Sequence, residues 1–510
     1  MLLSMPSAQD SFTVKIPSAA HGLKKITPYT DLFAHQPYYG DHLVMRDIMT
    51  ACLLPSLSRR RFMAGAAAGA VAAAFPSTAL PSGGDATSRK KTDKEADMND
   101  NAAAHAGLER GRTRVQGFAD AEMDFQLMRQ LGAARYGGAS VGECLAAVQQ
   151  IESGIPASWV AAFAAQAGRQ EADARKRAER KHSVSARDQY LVASNSWRAA
   201  EYYASVADPA HLEYGLKSRE CFLAAMRFAD HSFEILSLPF GDTPLPAYYM
   251  QPGKSGGKAG TLMIVSGYDG TLEETYLCYG RAALERGYNL LLFAGPGQMD
   301  TLRFHPGLAF IPEYERVAAA ALDHLLARPE TDPRRVALMG ISFGGYFATR
   351  AAAHEPRIRA LIANSPILDL HAYMSSFVGF DPAEMPDTDD FRAGDIDHMP
   401  PEAATPQQRL MARNLILRFG QESFKKTYVR LRDFRIGDAL SQIGCPALAL
   451  VGSGEGKEPL AQFRRFCDGV SGPASNHLFT GEEGADGHCQ SMNLGYSAAV
   501  SMDWLDETFA

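Results

Sequence analysis

The run Val336-Ala337-Leu338-Met339-Gly340-Ile341-Ser342-Phe343-Gly344-Gly345-Tyr346 decides the fold. A strand-like apolar segment, Arg335 to Met339, enters Gly-x-Ser-x-Gly and leaves it as a helical pattern from Tyr346 to Glu355. A strand-to-helix turn this sharp strains the serine backbone, and it needs small residues two positions to either side, where strand and helix crowd together. The turn lifts the Ser342 hydroxyl clear of the sheet. The following helix offers free N–H groups and the positive end of its dipole where an oxyanion would form. Ser342 is the candidate nucleophile; the plainer alternative is a helix-capping serine.

Outward from this turn, short apolar runs alternate with helical patterns: Thr261 to Val265, Tyr288 to Phe293, Ala360 to Asn364, Ala447 to Val451 and Asn476 to Thr480. Strands buried on both faces read this way, so the expectation is an α/β fold, a mostly parallel twisted sheet with helices on both faces. Phe233 to Leu238 and Leu245 to Met250 flank Gly241-Asp242 as a hairpin, followed by a polar loop from Gly253 to Gly260. This catalytic region spans 231–510. The stretch 371–443, rich in Met, Phe and Pro and then helical, breaks the alternation and reads as a lid-like insertion over the ligand edge of the sheet. Residues 103–230 are helical in pattern, punctuated by Gly132, Gly137, Gly138, Gly154 and Pro156 into five or six helices.

A serine needs a base to take its proton, and in the chain order Ser, acid, His the base follows the last strand. There the sequence reads Phe479-Thr480-Gly481-Glu482-Glu483-Gly484-Ala485-Asp486-Gly487-His488-Cys489, which makes His488 the candidate base. The acid belongs after the preceding strand, in Gly452-Ser453-Gly454-Glu455-Gly456-Lys457-Glu458. Glu455, three residues past Gly452, is the first choice and Glu458, one helical turn on, the alternative. Either would orient the imidazole and stabilise the imidazolium. Asp486 reads as a loop residue that tunes the site at most. Backbone N–H groups of Tyr268 and Phe343 are the expected oxyanion hole, Tyr268 lying in the loop Ser266-Gly267-Tyr268-Asp269-Gly270 after the strand Thr261 to Val265. Asp269 and Glu273 are candidate substrate-binding carboxylates, or helix N-terminal residues with no chemical task.

With 510 residues, 46% apolar and 21% charged, the chain is long enough for two or three domains, and wholesale disorder is excluded. A net charge of −7 supplies no basic field for nucleic acid. Seven cysteines without a C-x-x-C pair signal neither a zinc cage nor a disulfide framework. No metal or nucleotide motif appears, so no metal and no cofactor is inferred.

The segment Ser58-Arg59-Arg60-Arg61-Phe62-Met63, followed by the Ala/Gly-rich run Ala64 to Phe75 and Ser77-Thr78-Ala79, resembles a twin-arginine export signal. Its apolar run is too short to cross about 30 Å of hydrocarbon. Residues 1–79 are thus expected to be an N-terminal extension and signal, residues 80–102 a solvated linker, and the mature protein periplasmic with no stable membrane anchor. If the signal is unused, the protein is cytoplasmic.

Beyond the serine turn, the stretches Gly267-Tyr268-Asp269-Gly270 through Glu273-Glu274, Gly295-Pro296-Gly297-Gln298, Glu482-Glu483-Gly484-Ala485 leading to His488-Cys489, and Tyr190-Leu191-Val192-Ala193-Ser194-Asn195 carry a resemblance. From about Phe125 onward the chain is similar to the α/β-hydrolases that include 2,6-dihydroxypseudooxynicotine hydrolase, fungal heptaketide hydrolases and fermentation-respiration switch esterases. That resemblance implies a helical N-terminal domain that caps the site, and hydrolysis of esters or of carbon-carbon bonds beside a ketone. Two departures stand out: Met299 replaces the last glycine of Gly-Pro-Gly-Gln-Gly, and the acid loop lacks aspartate. The expected function is a serine hydrolase acting through an acyl-enzyme on a small or medium aromatic substrate, with a homodimer left open. An exported aminopeptidase or amidase, and an inactive binding protein on the same fold, are the alternatives.

Overall fold

The computed structural model describes residues 117–253 and 259–510. The twin-arginine-like segment, the linker and the first residues of the helical region lie outside the described residues. Five α-helices open the described chain: α1 (Ala121–Gly132), α2 (Val141–Val148), α3 (Pro156–Glu179), α4 (Ser183–Tyr203) and α5 (Pro209–Met226). Local chemistry sets their ends. Asp120 accepts the Met123 N–H and Asp208 the Ala210 N–H, while Pro156 and Pro209 occupy first-turn positions where no N–H is needed. Gly137 and Gly154, at φ +85° and +82°, turn the chain between helices. Gly132 closes α1, where the chain tightens into a 3-10 turn, and a Cβ there would fall on the Ser491 carbonyl oxygen. It marks both the end of the α-helix and a close contact with the segment after His488.

Trp159 knits this helical unit together. Its indole N–H donates to the Ala199 carbonyl at 2.8 Å, and its ring meets Phe163 and Tyr203 at 4.6 and 5.2 Å. Burial of such large rings drives the packing of helices whose outer faces carry the charged run from Arg169.

Eight strands form one sheet: β1 (Ser232–Leu238), β2 (Leu245–Gln251), β3 (Ala259–Val265), β4 (Asn289–Phe293), β5 (Thr331–Ile341), β6 (Ala360–Asn364), β7 (Ala447–Gly452) and β8 (Ala474–Phe479). Their order is β1-β2-β4-β3-β5-β6-β7-β8. The hairpin β1-β2 and the β2-β4 pair are antiparallel, and every later pair is parallel. Interior strands β4, β6 and β7 are buried at every position, whereas the edge strands β1 and β8 are largely exposed or half-buried.

Ten helices follow β3 in the chain: α6 (Leu272–Thr275), α7 (Arg281–Glu285), α8 (Met299–Phe304), α9 (Glu315–Leu326), α10 (Gly344–His354), α11 (Leu370–Val378), α12 (Pro406–Arg418), α13 (Phe424–Leu431), α14 (Lys457–Gly469) and α15 (Leu494–Thr508). A π-type turn, Tyr276–Gly280, joins α6 to α7. Helices α11 to α13 and several 3-10 turns occupy the stretch between β6 and β7, where the insertion is expected. Apolar clusters cover both faces of the sheet, one around Phe343, Phe347 and Phe310, the other around Tyr279, Leu450 and Met502. Among the described residues no helix is long and apolar enough to cross a membrane.

Chain order reverses at β3, which lies between β4 and β5. Crevices at such switch points, outside the carboxyl ends of the strands, are where open α/β sheets gather ligand-binding loops. Val265 pairs with Gly340, so the loop after β3 and the turn after β5 leave the sheet side by side.

Candidate active site

Ser342 adopts φ +61° between β5 and α10, a left-handed backbone that a serine pays for in strain. The glycines around it are demanded by contact. A Cβ on Gly340 would fall on the Gly344 carbonyl, one on Gly344 would sit 2.5 Å from the Val265 carbonyl oxygen, and one on Gly345 would fall on the Ser365 carbonyl.

The Ser342 hydroxyl lies 2.9 Å from His488 Nε2. On the other side of the ring, Nδ1 is 2.6 Å from Glu455 Oε2. With the Nδ1–H donating to the carboxylate, the neutral ring keeps its Nε2 lone pair for the Ser342 proton. Glu455 is 1% exposed and fully engaged. Its Oε2 also accepts from Ser365 Oγ at 2.7 Å, and Oε1 from the Gly452 N–H at 2.9 Å. Glu458 points elsewhere, accepting from Gln462 at 2.9 Å and Arg465 at 2.7 Å. Burial lowers the basicity of His488, but the adjacent Cys489 sulfur and the Glu455 carboxylate outweigh it and raise its pKa to about 10.

Two consecutive left-handed residues, Cys489 (φ +52°) and Gln490 (φ +51°), carry the chain away from His488. Gln490 anchors that turn, accepting from Asn364 Nδ2 at 2.9 Å and Ser497 Oγ at 3.0 Å. Cys489 Sγ approaches His488 Nε2 at 3.5 Å. Asp486 serves the loop through its carbonyl, which accepts from the Gly454 N–H and ties the acid loop to the histidine loop.

The loop after β3 brings Gly267 against the serine: a Cβ there would lie 2.8 Å from both Phe343 N and Ser342 Cβ. Among the described residues, neither the Tyr268 nor the Phe343 N–H has a hydrogen-bond partner. Gln298 holds this loop in place. Its Nε2 donates to the Ser266 carbonyl at 2.7 Å, and its Oε1 accepts from Gly295 N and Tyr314 Oη, both at 2.6 Å.

A cleft opens over Ser342, His488 and Cys489, with Phe125, Gln126 and Arg129 reaching in from α1. Asp269 lines it, paired with Arg129 at 3.2 Å. Glu273 does not line it, which corrects the expectation of a substrate-binding role. It is 1% exposed, accepting from Tyr248 Oη at 2.7 Å and Arg303 Nη1 at 3.1 Å, because the first turn of α6 aims it into the core. Its neighbour Glu274 faces the cleft instead, held by Arg129 Nε at 2.6 Å and Nη2 at 2.5 Å. Burial opposes ionisation of Glu274, and Arg129 with Arg198 more than offsets it, keeping the pKa below its ordinary value. Arg129, Glu274 and Gln298 escape sequence reasoning because their partners are distant in the chain; Glu274 and Gln298 show there only as parts of shared motifs. Among the described residues no cluster of three His, Cys, Asp or Glu side chains could hold a metal.

Comparison with known proteins bears on the family and the fold. Residues 317–407, which contain the serine turn, match the model of the prolyl oligopeptidase family. The chain is 37% identical over 257 residues to "Alpha/beta hydrolase xenA" of Xenoacremonium sinensis, covering 48% of this chain and 60% of that protein. It is 30% identical over 432 residues to "Hydrolase LUC6" of a Fusarium species, covering 77% of this chain and 97% of the relative. The match thus spans about three fifths of the length of xenA and nearly all of LUC6. Among solved structures, the 2,6-dihydroxy-pseudo-oxynicotine hydrolase shares the fold, with a TM-score of 0.58 at 21% identity over 74% of this chain and 95% of that one. From the serine turn, the sheet order and a relative matched along almost its whole length, the chain belongs to the α/β-hydrolase family.

Proposed function

We propose that the chain is a serine hydrolase working through an acyl-enzyme. Ser342 is the nucleophile, His488 the general base and acid, Glu455 the orienting carboxylate, and the Tyr268 and Phe343 amides the oxyanion donors. The observation that carries this reading is the unbroken hydrogen-bond relay from Ser342 Oγ through the imidazole to Glu455, at 2.9 and 2.6 Å. Ser342 Oγ attacks the carbonyl carbon as Nε2 takes its proton, and the carbonyl oxygen gains negative charge beside the two amides. The imidazolium then protonates the departing group, an alkoxide from an ester or a carbanion from a ketone. Water repeats the sequence on the acyl-enzyme and releases the carboxylic acid.

A cleft partly covered by α1 and walled by Phe125, Tyr268, Tyr279 and Leu494 favours a small or medium aromatic acyl compound over a polymer. In the test, Ser342→Ala lowers kcat/KM for p-nitrophenyl esters by at least about a thousandfold and abolishes fluorophosphonate labelling. Full activity in that variant removes the assignment. The prolyl oligopeptidase match at 317–407 favours amide cleavage as a second reading. Turnover of aminoacyl-anilides at rates comparable to aryl esters would promote it.

The sequence Ser58-Arg59-Arg60-Arg61-Phe62 supports export to the bacterial periplasm. A double Lys substitution of Arg59 and Arg60 should leave the full-length precursor in the cytoplasmic fraction; undiminished export would refute the signal.

A further inference from the structure

Beside the turn that follows His488, four side chains from four separate elements close a ring of hydrogen bonds. Asn364, the last residue of β6, donates from Nδ2 to Tyr279 Oη in the π-type turn and to Gln490 Oε1, both at 2.9 Å. Ser497 of α15 donates its hydroxyl proton to the same Gln490 oxygen at 3.0 Å. With that proton spent, the Tyr279 hydroxyl, 2.8 Å away, donates to Ser497 Oγ and closes the ring. All four residues are buried, where a low dielectric strengthens each bond and makes a missing partner costly.

The main chain of Asn364 faces the reacting groups. Its carbonyl accepts the Ser342 N–H at 2.5 Å and the Cys489 thiol at 3.4 Å. Its side chain grips the next residue, Gln490. Ser342, Cys489 and Gln490 are all left-handed without being glycine, at φ +61°, +52° and +51°, and all three bond to Asn364. Backbone of this kind persists only where its surroundings over-determine it. Glu455 orients the imidazole ring and Gln298 holds the loop after β3, whereas Asn364 bonds both the nucleophile's backbone and the turn after the base. Asn364 itself does not line the cleft.

We propose that Asn364 is a positioning residue, which through this ring holds the Ser342 backbone and the turn after His488 at the separation that lets Oγ reach Nε2. This role rests on the hydrolase reading and adds to it a residue that acts without touching substrate. Asn364→Leu keeps a side chain of similar size that cannot donate, and Gln490→Leu removes the shared acceptor. Inactivation by an alkyl fluorophosphonate and hydrolysis of p-nitrophenyl esters are followed in both variants and in the double variant. Each single variant should label to completion but about ten- to a hundredfold more slowly, with kcat lowered in proportion and KM within about threefold, as a displaced nucleophile requires. Because the two side chains act as one unit, the double variant should be no more than about threefold slower than the slower single one. Losses that multiply overturn the ring. Labelling rates within about twofold of the parent in both single variants overturn the positioning role. So does a smaller labelled fraction with an unchanged rate per labelled site, the result of a merely structural bond. Should Asn364→Leu fail to fold, Ser497→Ala, which removes the link between Tyr279 and Gln490, takes its place in the cycle under the same criteria. A parent protein that takes no label sinks the hydrolase reading, while a labelled parent with unaffected variants removes Asn364 alone.

Discussion

Glu455 and Glu458 stand three positions apart, and Gly456 between them, at φ +98°, sends the two carboxylates to different surroundings. Glu455 stops short of α14 and turns back onto the Gly452 N–H, Ser365 and His488, while Glu458 rides on the helix toward Gln462 and Arg465. If Glu455 orients the imidazole, Glu455→Gln lowers kcat by about 10³ to 10⁴. Glu458→Gln leaves aryl-ester turnover within about twofold, since its contacts with Gln462 and Arg465 do not reach the imidazole. pH adds a second signature. Because the pKa of His488 is raised, to about 10, its imidazolium persists above the ordinary value of 6.5, and the free base appears only as pH climbs further. The acid limb of kcat/KM should therefore lie above pH 6.5, and Glu455→Gln should move it toward lower pH. Linkage runs the same way: stability from the imidazolium-carboxylate pair is complete below pH 6.5 and is lost as pH rises toward 10. A pH-rate series from 5.5 to 10 on both variants decides the matter.

At the level of single elements, strand β5 and helix α10 are held by contacts that leave no room for a methyl group. Gly345→Ala would press its Cβ onto the Ser365 carbonyl oxygen, backbone that cannot swing aside, and Ser365 Oγ is itself bound to Glu455. The expected cost is about 1–3 kcal/mol, read as a lower melting temperature together with a lower kcat. Part of each of the eight strands is legible in the sequence: the interior parallel strands because burial on both faces needs an apolar run of that length, and the β1-β2 hairpin from its turn at Gly241-Asp242. The first half of β5 is not legible. Thr331 to Arg335 is polar, contains Pro333, and joins the sheet through pairing of Thr331 with Ala259, a contact that no local pattern encodes.

Across the whole molecule, a buried ion network fastens the helical unit to the hydrolase core. Arg303 of α8 reaches Glu201 of α4 through Nε at 2.9 Å and Nη2 at 2.6 Å, and Glu273 and Asp300 through Nη1 at 3.1 Å each. Three carboxylates share one guanidinium. Burial and then the charge on Glu273 push Asp300 well above the ordinary carboxylate range. Arg303→Met leaves these carboxylates uncompensated and should cost about 3–5 kcal/mol. Without the guanidinium the pKa of Glu273, now held below its ordinary value, rises and that of Asp300 rises further, so the loss should be larger at pH 8 than at pH 5, where protonation relieves it. Urea unfolding at the two pH values measures the difference, and equal losses would argue against the network.

The order of turns and strands, the serine at 342, the histidine at 488 and the pair of glutamates from which the acid would come are written in local pattern, because burial and backbone strain each demand particular residues at particular spacings. Which glutamate meets the imidazole, that Glu274 and not Glu273 faces the cleft, and that Arg129, Arg303 and Arg418 reach their partners across more than a hundred, thirty or a hundred and twenty residues were decided only by tertiary packing. A charged side chain takes its meaning from what is buried beside it, and those neighbours come together only when the chain folds.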